Sequence, residues 1–195
     1  YPACELENDV LKLSPYEPSL HGQAFFDGLA GHPELFKYMP MAPFASVDLL
    51  NEWVDAIRQD PSRVLFAMID KTGVRGCSCK CDPGDAGTVA GIVGLLNTPE
   101  NLATEIGLLF TLPAFQRTHV TRTAVALLLR FAFEDLRLRR VQWRALAENT
   151  ASVRAAERMG FQREGINRWA RVVPPGVPGN IARKKDPMPN CRGLH

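Results

Sequence analysis

Apolar residues along the chain fall partly into short continuous runs, typical of buried strands, and partly into segments with a helical period. The runs predict strands over 64–69, 89–96, 104–112 and 140–147, with shorter strand-like pieces over 10–13 and 161–173. The helical period predicts helices over 23–31, 46–60, 121–136 and 150–159. This succession of strands and helices predicts an α/β chain.

Local signals define the ends of two of these helices. Ser46 is a good N-cap because its hydroxyl can accept a hydrogen bond from the first helical turn, and Pro61 ends that helix. Gly160 favours the left-handed conformation that closes the helix over 150–159. The helix over 121–136 is apolar almost all round, as expected for a helix packed against a sheet.

The composition is that of a globular domain. Of 195 residues, 46% are hydrophobic, and the formal net charge is +2. The hydrophobic fraction excludes a disordered chain. The small net charge gives no indication of general nucleic-acid binding. No apolar run approaches the roughly 18 residues of a membrane helix. We therefore expect one domain over 1–173, without nucleic acid or membrane as partner, and a disordered tail over 174–195 that is rich in Pro, Gly and basic residues.

Three of the five cysteines crowd into one short segment, as Cys77, Cys79 and Cys81. Structural zinc sites use pairs of ligands at other spacings, and the nearest histidines are His32 and His119, so the sequence predicts no metal site. The thiols are expected to be free in a reducing compartment. No secretory pattern opens the chain, which favours a cytoplasmic protein.

The most informative segment is the predicted strand over 104–112, the loop over 113–121 and the helix that follows. The first N–H groups of a helix have no intrahelical partner and favour an anion. Arg117 adds a cation, and Thr118 and Thr121 add hydroxyls, so a diphosphate suits this place. The alternative is that these side chains only cap the helix.

Four short motifs occur in order: Glu105-Ile106-Gly107, Gln116-Arg117, Asn149-Thr150-Ala151-Ser152 and Arg158-Met159-Gly160-Phe161. With them the chain resembles the GCN5-related N-acetyltransferase (GNAT) superfamily over about residues 10–172. The resemblance is closest to the branch of ribosomal-protein N-terminal acetyltransferases and their fungal relatives. It implies the acyl-CoA N-acyltransferase fold, an α/β (α+β) architecture with a mixed, mostly antiparallel central sheet flanked by helices.

The resemblance also implies acetyl-CoA as cosubstrate, held in a V-shaped opening between two splayed strands. Its diphosphate would lie on the loop made by Gln116, Arg117, Thr118, His119, Val120 and Thr121. His119 and Thr121 stand where the family usually has glycine. Glycine permits close approach or a positive φ, so these side chains would obstruct the phosphates, unless His119 donates a hydrogen bond to them.

By the same resemblance, Glu105 is the base that removes a proton from the attacking amine, eleven residues before Gln116. A backbone N–H between Phe110 and Leu112, where the strand of the family is bulged, would meet the developing oxyanion. The alternative for Glu105 is an edge carboxylate that faces solvent.

Asn149 resembles the CoA-contacting asparagine of the family and is also a good N-cap for its helix. The residues over 153–156 lack the tyrosine that many members use to protonate the leaving thiolate. Either Ser152 serves through water, or the thiolate leaves unassisted, as its modest pKa of about 8.5 permits.

The C-terminal segment departs from the family. Prolines at 174, 175, 178, 187 and 189 break any strand there, so the final strand of the fold is predicted to be missing. Truncation, an altered end and completion by a second copy in a homodimer remain open. The predicted function is acetyl transfer to a primary amine of a protein N-terminus or a small molecule. The alternative is a catalytically impaired acyl-CoA-binding or protein-interaction module.

Overall fold

The computed structural model of the protein describes residues 1–73, 87–96, 101–168, 170–173 and 192–194. Within them the strands are β1 (Leu6–Glu7), β2 (Leu11–Pro15), β3 (Val64–Asp70), β4 (Thr88–Leu96), β5 (Ala103–Thr111), β6 (Arg140–Gln142), β7 (Arg171–Val173) and β8 (Arg192–Leu194). The helices are α1 (Pro18–Leu29), α2 (Val47–Arg58), α3 (Val120–Arg130) and α4 (Thr150–Arg158). The chain divides into two compact units, the first made of residues 1–32 and 44–144 and the second of residues 33–43 and 145–195.

The first unit is built on one sheet, called the main sheet below. In the described part of the chain it has six strands in the order β1-β2-β3-β4-β5-β6. Neighbours pair antiparallel from β1 to β5, whereas β6 pairs parallel to β5. The prediction of a mixed, mostly antiparallel sheet flanked by helices is confirmed.

The long apolar runs form the central strands because both faces of these strands are covered. Successive residues of β3 and β4 are buried, and successive side chains of a strand point to opposite faces. Contacts of α1 with β4, of α2 with β3 and of α3 with several strands cover them. The core of this unit includes the fully buried side chains Leu11, Leu13, Phe66, Met68, Ile92, Leu95 and Leu128.

The helix signals are confirmed where a specific side chain or glycine carries them. Ser46 is the N-cap of α2, and its Oγ accepts from the N–H of Leu49 at 3.3 Å. Gly160 has φ 93° after α4. The helix predicted over 121–136 is α3 followed by a π-helical turn, Phe131–Asp135. The helix predicted from residue 23 instead begins at Pro18, where proline has no N–H to leave unpaired.

The C-terminal predictions need correction. The strand predicted over 140–147 ends at Gln142, and among the described residues of the segment 161–173 only Arg171–Val173 form a strand. The tail contains a strand after all, since Arg192–Leu194 pairs antiparallel with β7 in a separate two-stranded sheet. Among the described residues, none after β6 joins the main sheet. The rest of the tail and the predicted free thiols of Cys77, Cys79 and Cys81 lie outside the described residues.

Candidate active site

A β-bulge interrupts the pairing of β4 with β5. Ile92 pairs with Phe110 and Gly94 pairs with Gly107, so Val93 faces two residues, Leu108 and Leu109. Leu108 accordingly has a positive φ of 50°. The bulge increases local twist and frees backbone groups of β5 from the regular ladder.

The bulge lies upstream of the segment 110–112 that was expected to carry the oxyanion donor. The N–H of Leu112 donates to the carbonyl of Ala90 at 2.9 Å, so the expectation for this amide is wrong. Both side chains belong to the core: Phe110 packs edge-on against Phe25, and Leu112 packs against Gly28 of α1. Phe110 and Leu112 can therefore contact a ligand only through their backbone.

Glu105 lies where β5 and β6 stop pairing. The parallel pairing joins residues 103–105 to residues 140–142, and Glu105 opposite Gln142 is its last pair. β6 ends at this pair, whereas β5 continues to Thr111. Beyond Glu105, this edge of β5 has no strand partner among the described residues.

Glu105 does not face solvent, which makes the alternative of an exposed edge carboxylate wrong. The residue is 3% exposed. Its Oε2 accepts from Nε of Arg144 at 2.5 Å and also contacts Nη2 of the same guanidinium. The Arg144 side chain is 48% exposed, so the ion pair runs from the interior to the surface. Sequence reasoning missed Arg144, because only the contact across the two strands identifies it.

The loop over 113–119 is held together by its own hydrogen bonds. A 3-10 turn, Pro113–Phe115, is followed by Arg117 with a positive φ of 62°. The hydroxyl of Thr118 donates to the carbonyl of Phe115 at 2.6 Å and accepts from the N–H of Val120 at 3.3 Å. Thr118 therefore caps α3, as the structural alternative for this loop expected.

A second hydroxyl pair connects α3 to β5, since Oγ1 of Thr121 lies 2.8 Å from Oγ1 of Thr111. The Gln116 amide donates to the carbonyl of Thr111 at 3.3 Å. Val120 is fully buried, so it can meet a ligand only through its backbone. With both threonine hydroxyls engaged within the fold, an anion would contact the backbone N–H groups of the first turn, which have no intrahelical acceptor, and the exposed Arg117.

His119 occupies an ordinary backbone conformation, with φ −70° and ψ −21° at the start of α3. The positive φ of the loop belongs to Arg117 and not to His119. The imidazole reaches towards β3, where its Nε2 lies 3.0 Å from Oδ1 of Asp70. The His119 side chain, which was expected to obstruct a diphosphate, therefore lies against Asp70 at the end of β3.

The second unit contains the two remaining predicted residues. Oδ1 of Asn149 accepts from the N–H of Ser152 at 3.1 Å, which makes Asn149 the N-cap of α4. The helix ends where the N–H of Phe161 donates to the carbonyl of Ala156 at 3.1 Å beyond Gly160. The capping role of Asn149 is thus confirmed, and contacts of Asn149 and Ser152 with CoA stay predictions.

The first unit offers what a CoA diphosphate requires. It presents the N-terminus of α3, a preceding loop with a positive-φ residue and an exposed guanidinium. In the described ranges, no three His, Cys, Asp or Glu residues group closely enough to hold a metal ion. Within the same ranges no helix has the length and apolar character to span a bilayer.

Comparison with known proteins agrees with this geometry. A family model described as acetyltransferase (GNAT) domain matches residues 11–162. A probable acetyltransferase of the GNAT family from Chromobacterium violaceum is 31% identical, with a TM-score of 0.76 over 89% of this chain and 81% of that one. A GCN5-related N-acetyltransferase from Brucella melitensis is 29% identical, with a TM-score of 0.77 over 89% of this chain and 74% of that one.

A more distant structure shares the fold. Spermidine N-acetyltransferase from Vibrio cholerae, solved with CoA and spermine, is 20% identical, with a TM-score of 0.65 over 86% of this chain and 89% of that one. None of the curated proteins matches the chain. The chain belongs to the GNAT family of acetyltransferases, and it is an acyltransferase whose cosubstrate is acetyl-CoA.

Proposed function

We propose that the chain transfers the acetyl group of acetyl-CoA to a primary amine by direct attack of the amine. The observation that carries this proposal is the buried Glu105 carboxylate at the end of the β5–β6 pairing, on the strand that also carries the bulge. An acid–base group, freed backbone groups and an anion-binding loop are thereby assembled on β5 and the segment that follows it.

Glu105 is the group that accepts the proton of the amine. A free ammonium has a pKa of about 10, whereas only the neutral amine is a nucleophile, so a carboxylate within reach, directly or through water, assists the reaction. Acetyl-CoA supplies the activated acyl group as a thioester. A backbone N–H of β5 at or after the bulge donates to the oxygen that gains negative charge.

Binding is assigned to two further sets of residues. The backbone of the loop 116–121 and the guanidinium of Arg117 hold the diphosphate, with His119 at the start of α3. Asn149 and Ser152 at the start of α4 form the second contact with CoA, and Ser152 assists the leaving thiolate through water.

The acceptor is proposed to be a primary amine of a protein N-terminus or of a small molecule. The Vibrio cholerae neighbour, whose substrate is spermidine, supports the small-molecule class through a shared fold. Membership in the ribosomal-protein N-terminal branch, of fungal type, is the narrower proposal for the protein class. We also propose that the protein is a homodimer and that it is located in the cytoplasm.

The test is release of free CoA from acetyl-CoA with a panel of polyamines, amino sugars and peptides with free N-termini. Glu105→Gln should abolish the release while the affinity for acetyl-CoA stays unchanged. Glu134→Gln, at an exposed glutamate, is the matched control and should leave the rate unchanged. Binding of acetyl-CoA without release on any amine would contradict the proposal and favour an acyl-CoA-binding module.

A further inference from the structure

A buried carboxylate lies behind the diphosphate loop. Asp70 is the last residue of β3, paired with Leu11 on one side and Thr88 on the other. The residue is 1% exposed. The hydroxyl of Thr72 lies 2.9 Å from both carboxylate oxygens. Because a buried carboxylate is costly without charged or hydrogen-bonding partners, the groups around Asp70 are part of the stability of this strand end.

A further contact of Asp70 comes from the loop itself. Nε2 of His119 lies 3.0 Å from Oδ1 of Asp70, and the imidazole is 24% exposed. The two atoms approach closely without meeting the geometry of a hydrogen bond. A carboxylate has only acceptor atoms, so this contact is favourable for the imidazole tautomer that carries its N–H at Nε2.

His119 also joins the loop to α3. Its carbonyl accepts from the N–H of Thr123 at 2.9 Å, so its backbone already belongs to α3. Arg117 and Thr118, two exposed residues of the loop, immediately precede it. A restraint on the His119 side chain consequently acts on the backbone that the diphosphate would contact.

We propose that Asp70 is a positioning residue for acetyl-CoA, which acts through His119 to hold the diphosphate loop in its binding arrangement. This inference rests on the proposed function of the loop. A loop that is already ordered loses less conformational entropy when a ligand binds, so the pair raises affinity without Asp70 touching the ligand.

The experiment measures the Kd of CoA and of pantetheine by titration calorimetry. Pantetheine keeps the thiol arm and lacks the diphosphate and the nucleotide. Asp70→Asn and His119→Ala should each weaken CoA binding about tenfold, as expected for the loss of a charged interaction, and leave pantetheine binding unchanged. The double variant should be no weaker than the weaker single variant, because both changes remove one interaction.

His119→Gln is the conservative variant, since its amide N–H can still donate to Asp70, and it should recover part of the CoA affinity. It also leaves β3 unchanged, so the inference stays testable if Asp70→Asn impairs folding. His32→Gln changes a histidine outside the loop and is the control for an unchanged Kd. In the acetyl-transfer assay, the KM for acetyl-CoA should rise in Asp70→Asn while kcat is retained.

Either of two results would overturn this inference and leave the proposed function intact. One is a wild type that binds CoA together with variants that bind it equally well. The other is an equal loss of CoA and pantetheine affinity in both single variants, which would indicate a general structural role. A wild type without affinity for CoA would instead overturn the proposed function, and this inference with it.

Discussion

The carboxylate of Glu105 and the guanidinium of Arg144 form an ion pair with one end in the interior and the other at the surface. Oε2 of Glu105 accepts from Nε of Arg144 at 2.5 Å, at the point where β5 and β6 stop pairing. The proposed base is thus oriented by a cation that sequence reasoning did not identify. An amine that uses this carboxylate has to approach it in the presence of Arg144.

Removal of the guanidinium should destabilise the protein. Arg144→Gln deprives a carboxylate that is 3% exposed of a charged partner, and we expect a loss of about 1–3 kcal/mol in the free energy of unfolding. Urea denaturation measures it. Arg139→Gln, at an exposed neighbour outside the pair, should be nearly neutral. Equal stabilities of the two variants would show that the pair contributes nothing.

Gly91 should be irreplaceable beside the bulge. Its φ is 150°, and a Cβ there would lie 2.0 Å from the carbonyl oxygen of Phe110. We expect Gly91→Ala to lower the free energy of unfolding by about 3 kcal/mol or more. Gly31 has φ 78°, and a Cβ added there would meet no atom within 4 Å, so Gly31→Ala should lose only about 1–2 kcal/mol. A tolerated Gly91→Ala would contradict the strand register derived for β4 and β5.

The buried phenol of Tyr16 should make the free energy of unfolding decrease at high pH. Burial raises the pKa of its phenol, and its hydroxyl has no partner within the described part of the chain. Above a pH of about 10 the unfolded chain loses this proton while the folded chain keeps it, so stability falls as pH rises. Tyr16→Phe should flatten this decline and add about 1 kcal/mol at neutral pH. Denaturation between neutral and alkaline pH measures both effects, and an unchanged slope would argue against them.

Two substitutions of Asn149 should distinguish its capping role from a role in ligand binding. Asn149→Ser keeps a capping oxygen for α4 and so keeps the stability, whereas Asn149→Ala should lose about 1 kcal/mol. If the side chain also contacts CoA, both variants should bind CoA more weakly. Thermal unfolding and calorimetry distinguish the two roles. Full CoA affinity in Asn149→Ser would limit this residue to the cap.

Local signals were sufficient for part of this structure. Ser46 and Gly160 act within one helical turn, and the apolar runs of β3 and β4 show burial directly, so these elements could be predicted. The start of α1 at Pro18 also had a readable signal, a proline in the first turn.

The remaining features depend on contacts between distant segments. The bulge at Leu108 arises from the register of β5 against β4, and Asp70 meets His119 across 49 positions of sequence. The contact of Arg144 with Glu105 also joins distant segments, and neither residue spacing nor composition predicts it. The pairing of Arg192–Leu194 with β7 could not be read from a segment rich in proline and glycine.

A crystal structure of the protein with CoA tests the central claim most directly. We expect diphosphate oxygens within hydrogen-bond distance of backbone N–H groups between residues 117 and 122, with the thiol directed towards Glu105. A diphosphate bound elsewhere on the protein, with these amides unoccupied, would contradict the claim.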